Sequence, residues 1–196
     1  HCTYKIICIF VEIKHVKIMK TELKKNFKKK LHLICGTDDL RPVLQYVSFQ
    51  NGCSICTNAH VLVKRSLKLD GFTDEEIEQM NGKFIHKDTY KHLLSYDTVE
   101  VIDGAFHCVK GNVNAVVSFN DSEGLYPNWL AVIPVGDTIE LGEIGISAKN
   151  LELIKSIASD METRFKFYGA NKAVLIKGSQ TGWDEETILI MPLRLH

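Results

Sequence analysis

The chain has 196 residues, of which 45% are hydrophobic and 24% charged, and its net charge is zero. These values are typical of a folded globular protein with one to one and a half small domains, and they exclude a generic binder of polyanions. The charge is nevertheless uneven, because residues 19–32 contain six lysines and one glutamate. Such a basic element is compatible with local nucleic-acid binding and equally with a solvated helix face.

The amino-terminal residues carry no membrane or export signal. Their apolar run, residues 6–11, lies between Lys5 and Glu12 and is too short to span a membrane. No cleavage-site pattern follows it. We therefore interpret residues 1–20 as a leader or extension, with the folded part beginning near Met19-Lys20.

The six cysteines are expected to be reduced thiols of a cytoplasmic protein. Cys53 and Cys56 form an isolated C-x-x-C, but the two positions fall on opposite faces of a strand and no second ligand pair follows. We therefore expect neither a metal nor a cofactor.

The first structural unit begins with a helix. Thr21 is a plausible N-cap, apolar residues recur from Leu23 to Ile34 at helical spacing, and Gly36 stops the helix. Two alternating apolar runs, 43–49 and 53–63, then flank Asn51-Gly52, which predicts a β-hairpin. The second run is interrupted by the polar residues 57–60, which indicates a bend, a bulge or a contacted surface.

Two further units repeat this plan of a helix followed by strands. In the second, a loop with one acidic helical turn (66–83) precedes Phe84-Ile85, a helix over 86–96, and strands over 98–102, 105–110 and 113–119. In the third, Ser147 caps a helix that precedes strands over 164–168, 173–177 and 187–191. Its inward residues are predicted to be Leu151, Ile154, Ile157, Ala158 and Met161. The sequence predicts an α+β fold with helices on antiparallel sheets.

The predicted helices carry lysines opposite their apolar faces. If the helices share one surface, these lysines would contact DNA phosphates without reading sequence. The candidate DNA-binding residues are Lys24, Lys25, Lys28, Lys29, Lys87, Lys91, Lys149 and Lys155.

Three segments resemble a known family. TNAHVLVKR (57–65), YPNWLAVIP (126–134) and ILIMPLRLH (188–196) are similar, in the same order, to segments of the bacterial DNA polymerase III β subunit, the sliding clamp. The resemblance covers residues 21–196. It implies a DNA-clamp-like fold of about one and a half clamp domains. Residues 21–134 would form a complete domain of two repeats, and residues 135–196 a half domain ending in MPLRL.

The resemblance also implies a function. Family members are non-catalytic processivity factors that capture short linear motifs of DNA polymerases and other DNA-processing proteins. It therefore implies a replication or repair accessory protein of the bacterial cytoplasm and nucleoid, with duplex DNA and further copies of the chain as other partners. The implied peptide-binding residues are Leu44, Thr57, Ala59, His60, Val61, Leu62, Pro127, Val132, Ala173, Leu189, Met191, Pro192, Leu193 and Arg194.

The chain departs from the family pattern at the implied site. Val61 and Ala131 stand where arginines are usual, and Asn58-Ala59 replaces Asp-Gly. The site is consequently less basic, which predicts a shifted ligand preference.

Other interpretations of the same residues remain open. Thr57 and His60 also suit a bulge that merely satisfies its own backbone, and Trp129 and Trp183 suit packing. A peptide-binding adaptor or inhibitor that does not encircle DNA would need the same site. A thiol enzyme with Cys56 and His60 is disfavoured, because four residues of one strand span about 13 Å.

Overall fold

The computed structural model describes residues 29–120, 125–158, 162–178, 182 and 185–194. These residues form two antiparallel sheets with three α-helices, so the predicted α+β class is confirmed. The strands are β1 (Tyr46–Gln50), β2 (Cys53–Thr57), β3 (Val61–Ser66), β4 (Phe84–His86), β5 (Thr98–Ile102), β6 (Ala105–Lys110), β7 (Val113–Ser118), β8 (Thr163–Lys166), β9 (Val174–Gly178) and β10 (Glu186–Ile190). The helices are α1 (Asp74–Met80), α2 (Lys87–Leu93) and α3 (Ala148–Ala158). The larger sheet has the order β4-β1-β2-β3-β10-β9-β8 and the smaller one the order β5-β6-β7.

The predicted hairpin forms at Asn51-Gly52, but its strands differ from the prediction. Both turn residues have positive φ, 51° and 73°, as a primed two-residue turn requires. The predicted first strand begins late, because Pro42 fixes its own φ and opens a 3₁₀ turn, Pro42–Gln45, before β1. The predicted single strand over 53–63 is wrong, since it divides into β2 and β3, which pair with each other across a tight turn at residues 58–60.

The larger sheet buries a core on each face. On one face, strand residues such as Val63 and Ile188 pack with α2, α3 and the smaller sheet. On the other face, Ile55, Leu62 and Leu189 pack beneath a loop that contains Tyr126. Because successive strand residues point to opposite faces, the nearly continuous burial of the side chains of β2, β3 and β10 follows from the presence of a core on both sides.

Several helix predictions need correction. The predicted helix over 21–34 lies mostly outside the described residues, and its described end is only a 3₁₀ turn, Leu31–Leu33. The acidic segment forms a two-turn helix, α1, which a capping box between Thr73 and Glu76 begins. Leu151 of α3 is 38% exposed instead of facing inward. Met161 lies outside the described residues.

A buried charge cluster joins distant parts of the chain, and the sequence analysis missed it. Arg65 is 2% exposed; its Nε donates to Asp70 Oδ1 at 2.8 Å and its Nη1 to Glu186 Oε1 at 2.9 Å. Lys29 Nζ lies 3.4 Å from the same Glu186 oxygen and donates to the Ile157 carbonyl. Burial raises the pKa of Asp70 to about 6, although the neighbouring Arg65 guanidinium opposes the shift. The cluster ties β3 to β10 and to the segment at residue 29.

The larger sheet crosses the predicted division between residues 134 and 135. β10 pairs with β3 over five residue pairs, from Glu186↔Arg65 to Ile190↔Val61. The two predicted pieces therefore share one sheet, and the predicted leader, residues 1–20, lies outside the described residues. Within the described ranges, no three His, Cys, Asp or Glu side chains converge on a metal position. The same ranges contain no helix that is both long and apolar enough to cross a membrane.

Candidate functional site

An apolar cleft of about 500 Å³ opens at one end of the central strands. Its buried floor includes Leu44 from the 3₁₀ turn, Leu62 from β3 and Leu189 from β10. Its rim includes Val132 and Met191, which are 46% and 38% exposed. An apolar floor beneath exposed apolar rim residues is the arrangement expected of a ligand-binding cleft.

The tight turn between β2 and β3 forms one wall of the cleft. The Thr57 hydroxyl donates to the Val61 carbonyl at 2.8 Å and accepts from the Ala59 N–H at 3.0 Å. Asn58 Oδ1 accepts from the N–H groups of His60 and Val61. The polar interruption in the sequence is therefore a turn that satisfies its own backbone. Because the Thr57 hydroxyl both donates and accepts a hydrogen bond within this turn, the role of Thr57 in the cleft wall is steric.

Ala59 occupies the strained position of this turn. Its φ is +73°, in the left-handed region that costs an L-residue about 1–2 kcal/mol. The family pattern has glycine here, which adopts this conformation without that cost. The hydrogen bonds of Thr57 and Asn58 hold the backbone in place and leave the Ala59 methyl group at the rim.

The carboxyl end of β10 completes the opposite wall. The Met191 N–H donates to the His60 carbonyl at 2.8 Å, immediately beyond the β3–β10 pairing. This bond holds the Met191 backbone beside His60, and the side chains of both residues line the cleft. The third predicted unit therefore supplies part of a site whose other part comes from the first.

A third segment closes the cleft over the sheet. The Tyr126 hydroxyl donates to the Ile55 carbonyl at 3.3 Å, and Trp129 Nε1 donates to Gln50 Oε1 at 3.2 Å. These bonds hold Pro127 and Val132 at the rim. Trp129 is buried, as expected of a packing residue, and its ring also lines the cleft.

The structure brings together ten of the fourteen predicted peptide-binding residues. They are Leu44, Thr57, Ala59, His60, Val61, Leu62, Pro127, Val132, Leu189 and Met191. Ala173 lines an adjoining depression with Val132 and Met191, and Leu193 lines a separate hollow beside the cleft. Pro192 and Arg194 follow Met191 along the chain and do not line the cleft.

Six further residues line the cleft without having been predicted to do so from the sequence. The additional lining residues are Leu40, Arg41, Pro42, Val43, Asn128 and Trp129. Four of these belong to the 3₁₀ turn and the loop before it, where the sequence analysis expected loop followed by strand. The Arg41-Pro42 dipeptide is the signal that could have identified this turn, since proline favours the first position of a helical turn.

The candidate DNA-binding lysines do not all reach solvent. Three of them, Lys24, Lys25 and Lys28, lie outside the described residues. The Lys29 ammonium group pairs with Glu186 of the buried charge cluster and donates to the Ile157 carbonyl. Lys87 Nζ donates to the Gly36 carbonyl at 2.9 Å. The remaining three, Lys91, Lys149 and Lys155, are exposed on α2 and α3, which pack against the same core. The exposed surface of these helices also carries acidic Asp88 and Glu152.

The structure gives no support to a thiol nucleophile at Cys56. The side chain is fully buried on β2, and burial raises the pKa of its thiol well above the ordinary value. His60 lies beyond the end of that strand, on the exposed turn. A nucleophilic Cys56 would require the opposite conditions, exposure and a lowered pKa.

Comparison with known proteins identifies the fold. A sliding clamp (DNA polymerase III subunit beta) from Bartonella birtlesii, bound to griselimycin, matches with a TM-score of 0.63 and 18% identity, covering 85% of this chain and 63% of that one. A Pseudomonas aeruginosa sliding clamp with ligand matches at 0.62 and 14%, with coverages of 86% and 64%. A Streptococcus pneumoniae DNA polymerase III beta chain matches at 0.61 and 16%, with coverages of 87% and 62%.

The likeness lies in structure more than in sequence. No protein-family model and no curated protein sequence matches the chain. The chain spans less than two thirds of the length of these solved clamps. The described part of the chain has the fold of the bacterial DNA polymerase III β sliding clamps.

Proposed function

We propose that this protein is a non-catalytic, clamp-like accessory protein of DNA replication or repair in the bacterial cytoplasm. Its cleft captures short linear motifs of DNA polymerases or other DNA-processing proteins. One observation carries the proposal: residues from three distant segments, 40–62, 127–132 and 189–191, converge on one apolar cleft in a clamp fold. Most of these residues are the ones that the resemblance to sliding clamps implies.

The cleft has the physical properties of a site for apolar side chains. Its volume of about 500 Å³ lies within the range of ligand pockets, and buried Leu62 and Leu189 offer a floor for leucine or phenylalanine anchors. Such buried apolar anchors dominate the affinity of peptide interfaces. Met191 is unbranched and polarizable, so it can adapt to different anchors.

A titration with a fluorescent peptide of the glutamine-leucine-x-leucine-phenylalanine type tests this proposal. We expect micromolar binding to the wild type and binding at least about 5-fold weaker to Met191→Ala, because the rim loses an apolar wall. Leu130→Ala is the matched control, since Leu130 is 56% exposed and does not line the cleft. Absence of binding to the wild type would reject the proposal.

A second candidate is an adaptor or inhibitor that holds the same peptides without DNA. Two observations favour it: Lys29 is committed to an internal cluster, and acidic Asp88 and Glu152 share the exposed helix surface with the lysines. A duplex-DNA titration at several salt concentrations distinguishes the two candidates. Phosphate contacts predict affinity that falls steeply with salt, whereas an adaptor shows peptide binding and no such DNA binding. A solution mass above that of one chain would support the homo-oligomer that the clamp fold suggests.

A further inference from the structure

A second hollow, of about 420 Å³, adjoins the apolar cleft and differs from it in chemistry. The two share Arg41, Leu44 and His60, so a bound chain could continue from one into the other. Its other lining residues include Asp38, Asn58, Ser147, Lys149, Asn150 and Leu193. The hollow is mainly polar, whereas the cleft is mainly apolar.

The far wall of the hollow is held against the end of β10. The Leu193 N–H donates to the Gly145 carbonyl at 2.7 Å, and Gly145 and Leu193 form an isolated antiparallel bridge. This bridge places Ser147 and the first turn of α3, with Lys149 and Asn150, opposite the turn that carries His60. The two walls therefore come from segments that are far apart in the sequence.

Two of the charges in the hollow offset each other. Arg41 Nε donates to Asp38 Oδ2 at 3.1 Å, and the Leu40 N–H donates to Asp38 Oδ1 at 2.9 Å. The Leu40 N–H and the Arg41 guanidinium lower the pKa of the Asp38 carboxyl, so this carboxylate stays ionised beside its partner. The Asp38–Arg41 pair thus contributes little net charge to the hollow.

Among the charged side chains that line the hollow, Lys149 remains once Asp38 and Arg41 offset each other, because the exposed Glu152, one turn further along α3, does not line it. The Lys149 side chain is exposed, and in the described part of the chain no carboxylate pairs with it. It lies in the first turn of α3, where the helix dipole disfavours a cation, so helix stability does not explain its position. The His60 side chain also lines the hollow. Neutral donors surround both, including Asn150 and the amide nitrogen of Asn58, whose oxygen is already used by the turn.

We propose that this hollow binds a carboxylate of the same peptide whose apolar side chains fill the cleft. The preferred partner is therefore an apolar motif flanked by an acidic group, either an Asp or Glu side chain or a free carboxyl terminus. The inference rests on the proposed peptide-binding function and gives Lys149 the role of a specificity determinant. The clamp resemblance had suggested DNA phosphate contact for this lysine.

The test is a peptide titration at low and moderate salt. One peptide carries the apolar motif flanked by aspartates, its matched partner carries asparagines there, and each is made with a free and with an amidated carboxyl terminus. We expect the wild type to prefer the acidic peptide by roughly 3- to 10-fold, as for a partly exposed charge-assisted hydrogen bond. The preference should weaken as salt screens the charges.

Two variants, each lacking one positive charge, test whether the preference for the acidic peptide depends on the hollow. Lys149→Gln should bring the ratio of acidic to amide affinity towards one. Lys110→Gln, which removes the same charge from an exposed site on β6, should keep the wild-type ratio. An aspartate-over-asparagine preference that persists in the amidated peptides would assign the side chain, and a loss of affinity when the asparagine peptide is amidated would assign the terminal carboxylate.

The outcomes separate this inference from the function on which it rests. Equal binding of all four peptides by the wild type overturns the inference and leaves the peptide-binding function in place. An acid preference that survives Lys149→Gln also overturns it. Absence of binding by every peptide removes both.

Discussion

Leu62 and Leu189 lie directly opposite each other across β3 and β10, and both side chains contribute to the floor of the cleft. They come from segments more than a hundred residues apart, yet they are only 6% and 2% exposed. One pair therefore helps to hold the sheet together and to form the binding surface.

Truncation of Leu189 should reduce stability. Leu189→Ala removes buried methyl groups and leaves a cavity, so we expect a loss of about 2–4 kcal/mol in the free energy of unfolding. Urea unfolding followed by circular dichroism measures it. Leu193→Ala, at a side chain that is 53% exposed, should change stability by less than about 0.5 kcal/mol. Similar losses in both variants would show that the cleft floor is not part of the core.

Replacing Ala59 by glycine should stabilise the protein. Ala59 has a φ of +73°, and relieving this strain, less the extra chain entropy of glycine, should yield roughly 0.5–1 kcal/mol. Thermal and urea unfolding provide the measurement. Ala131→Gly, in a 3₁₀ turn without positive φ, should destabilise or have no effect. A destabilised Ala59→Gly variant would contradict the strained turn.

Removal of Arg65 should be severely destabilising. Arg65→Met leaves Asp70 and Glu186 buried without the guanidinium that donates to both of them. Leaving buried carboxylates without their partner costs about 3–5 kcal/mol. Denaturant unfolding, or failure to obtain folded protein, would report this cost. Arg164→Met, at an exposed position of β8, should behave like the wild type, and an equally mild effect at Arg65 would refute the prediction.

The raised pKa of Asp70 predicts that the free energy of unfolding depends on pH. Burial raises this pKa from 3.8 to about 6 in the folded state, so the folded protein binds this proton more tightly than the unfolded chain. The resulting contribution to stability is fully present below pH 3.8 and is lost as the pH rises through about 6.

The change can be measured by urea unfolding at pH 7.5, 6.0 and 5.0. From pH 7.5 to 5.0, the wild type should gain stability relative to Asp70→Asn, which cannot bind that proton. Groups common to both proteins cancel in this difference. Parallel stability curves would show that Asp70 does not titrate in this range.

Local patterns determined the elements whose signals lie within a few residues. Asn51-Gly52 predicted its hairpin because both residues tolerate positive φ. The pattern around Tyr90 predicted α2, and alternation with glycine-containing turns predicted β5 to β7 almost to the residue. The same approach failed at residues 53–63, where the alternation of apolar and polar residues continues although the chain reverses direction between β2 and β3. The side chains of Thr57 and Asn58 close this turn through hydrogen bonds to Val61.

The family resemblance identified most of the cleft residues, and only the tertiary structure showed how they meet. Sequence periodicity reports which face of a strand is buried, but it does not specify which strand is the neighbour. The pairing of β3 with β10 decides that Leu62 meets Leu189 and that Arg65 meets Glu186. The sequence by itself therefore determined an α+β protein and most of its strands and helices. Long-range pairing, favoured by burial of apolar surface on both sheet faces, decided where the cleft, the charge cluster and the polar hollow form.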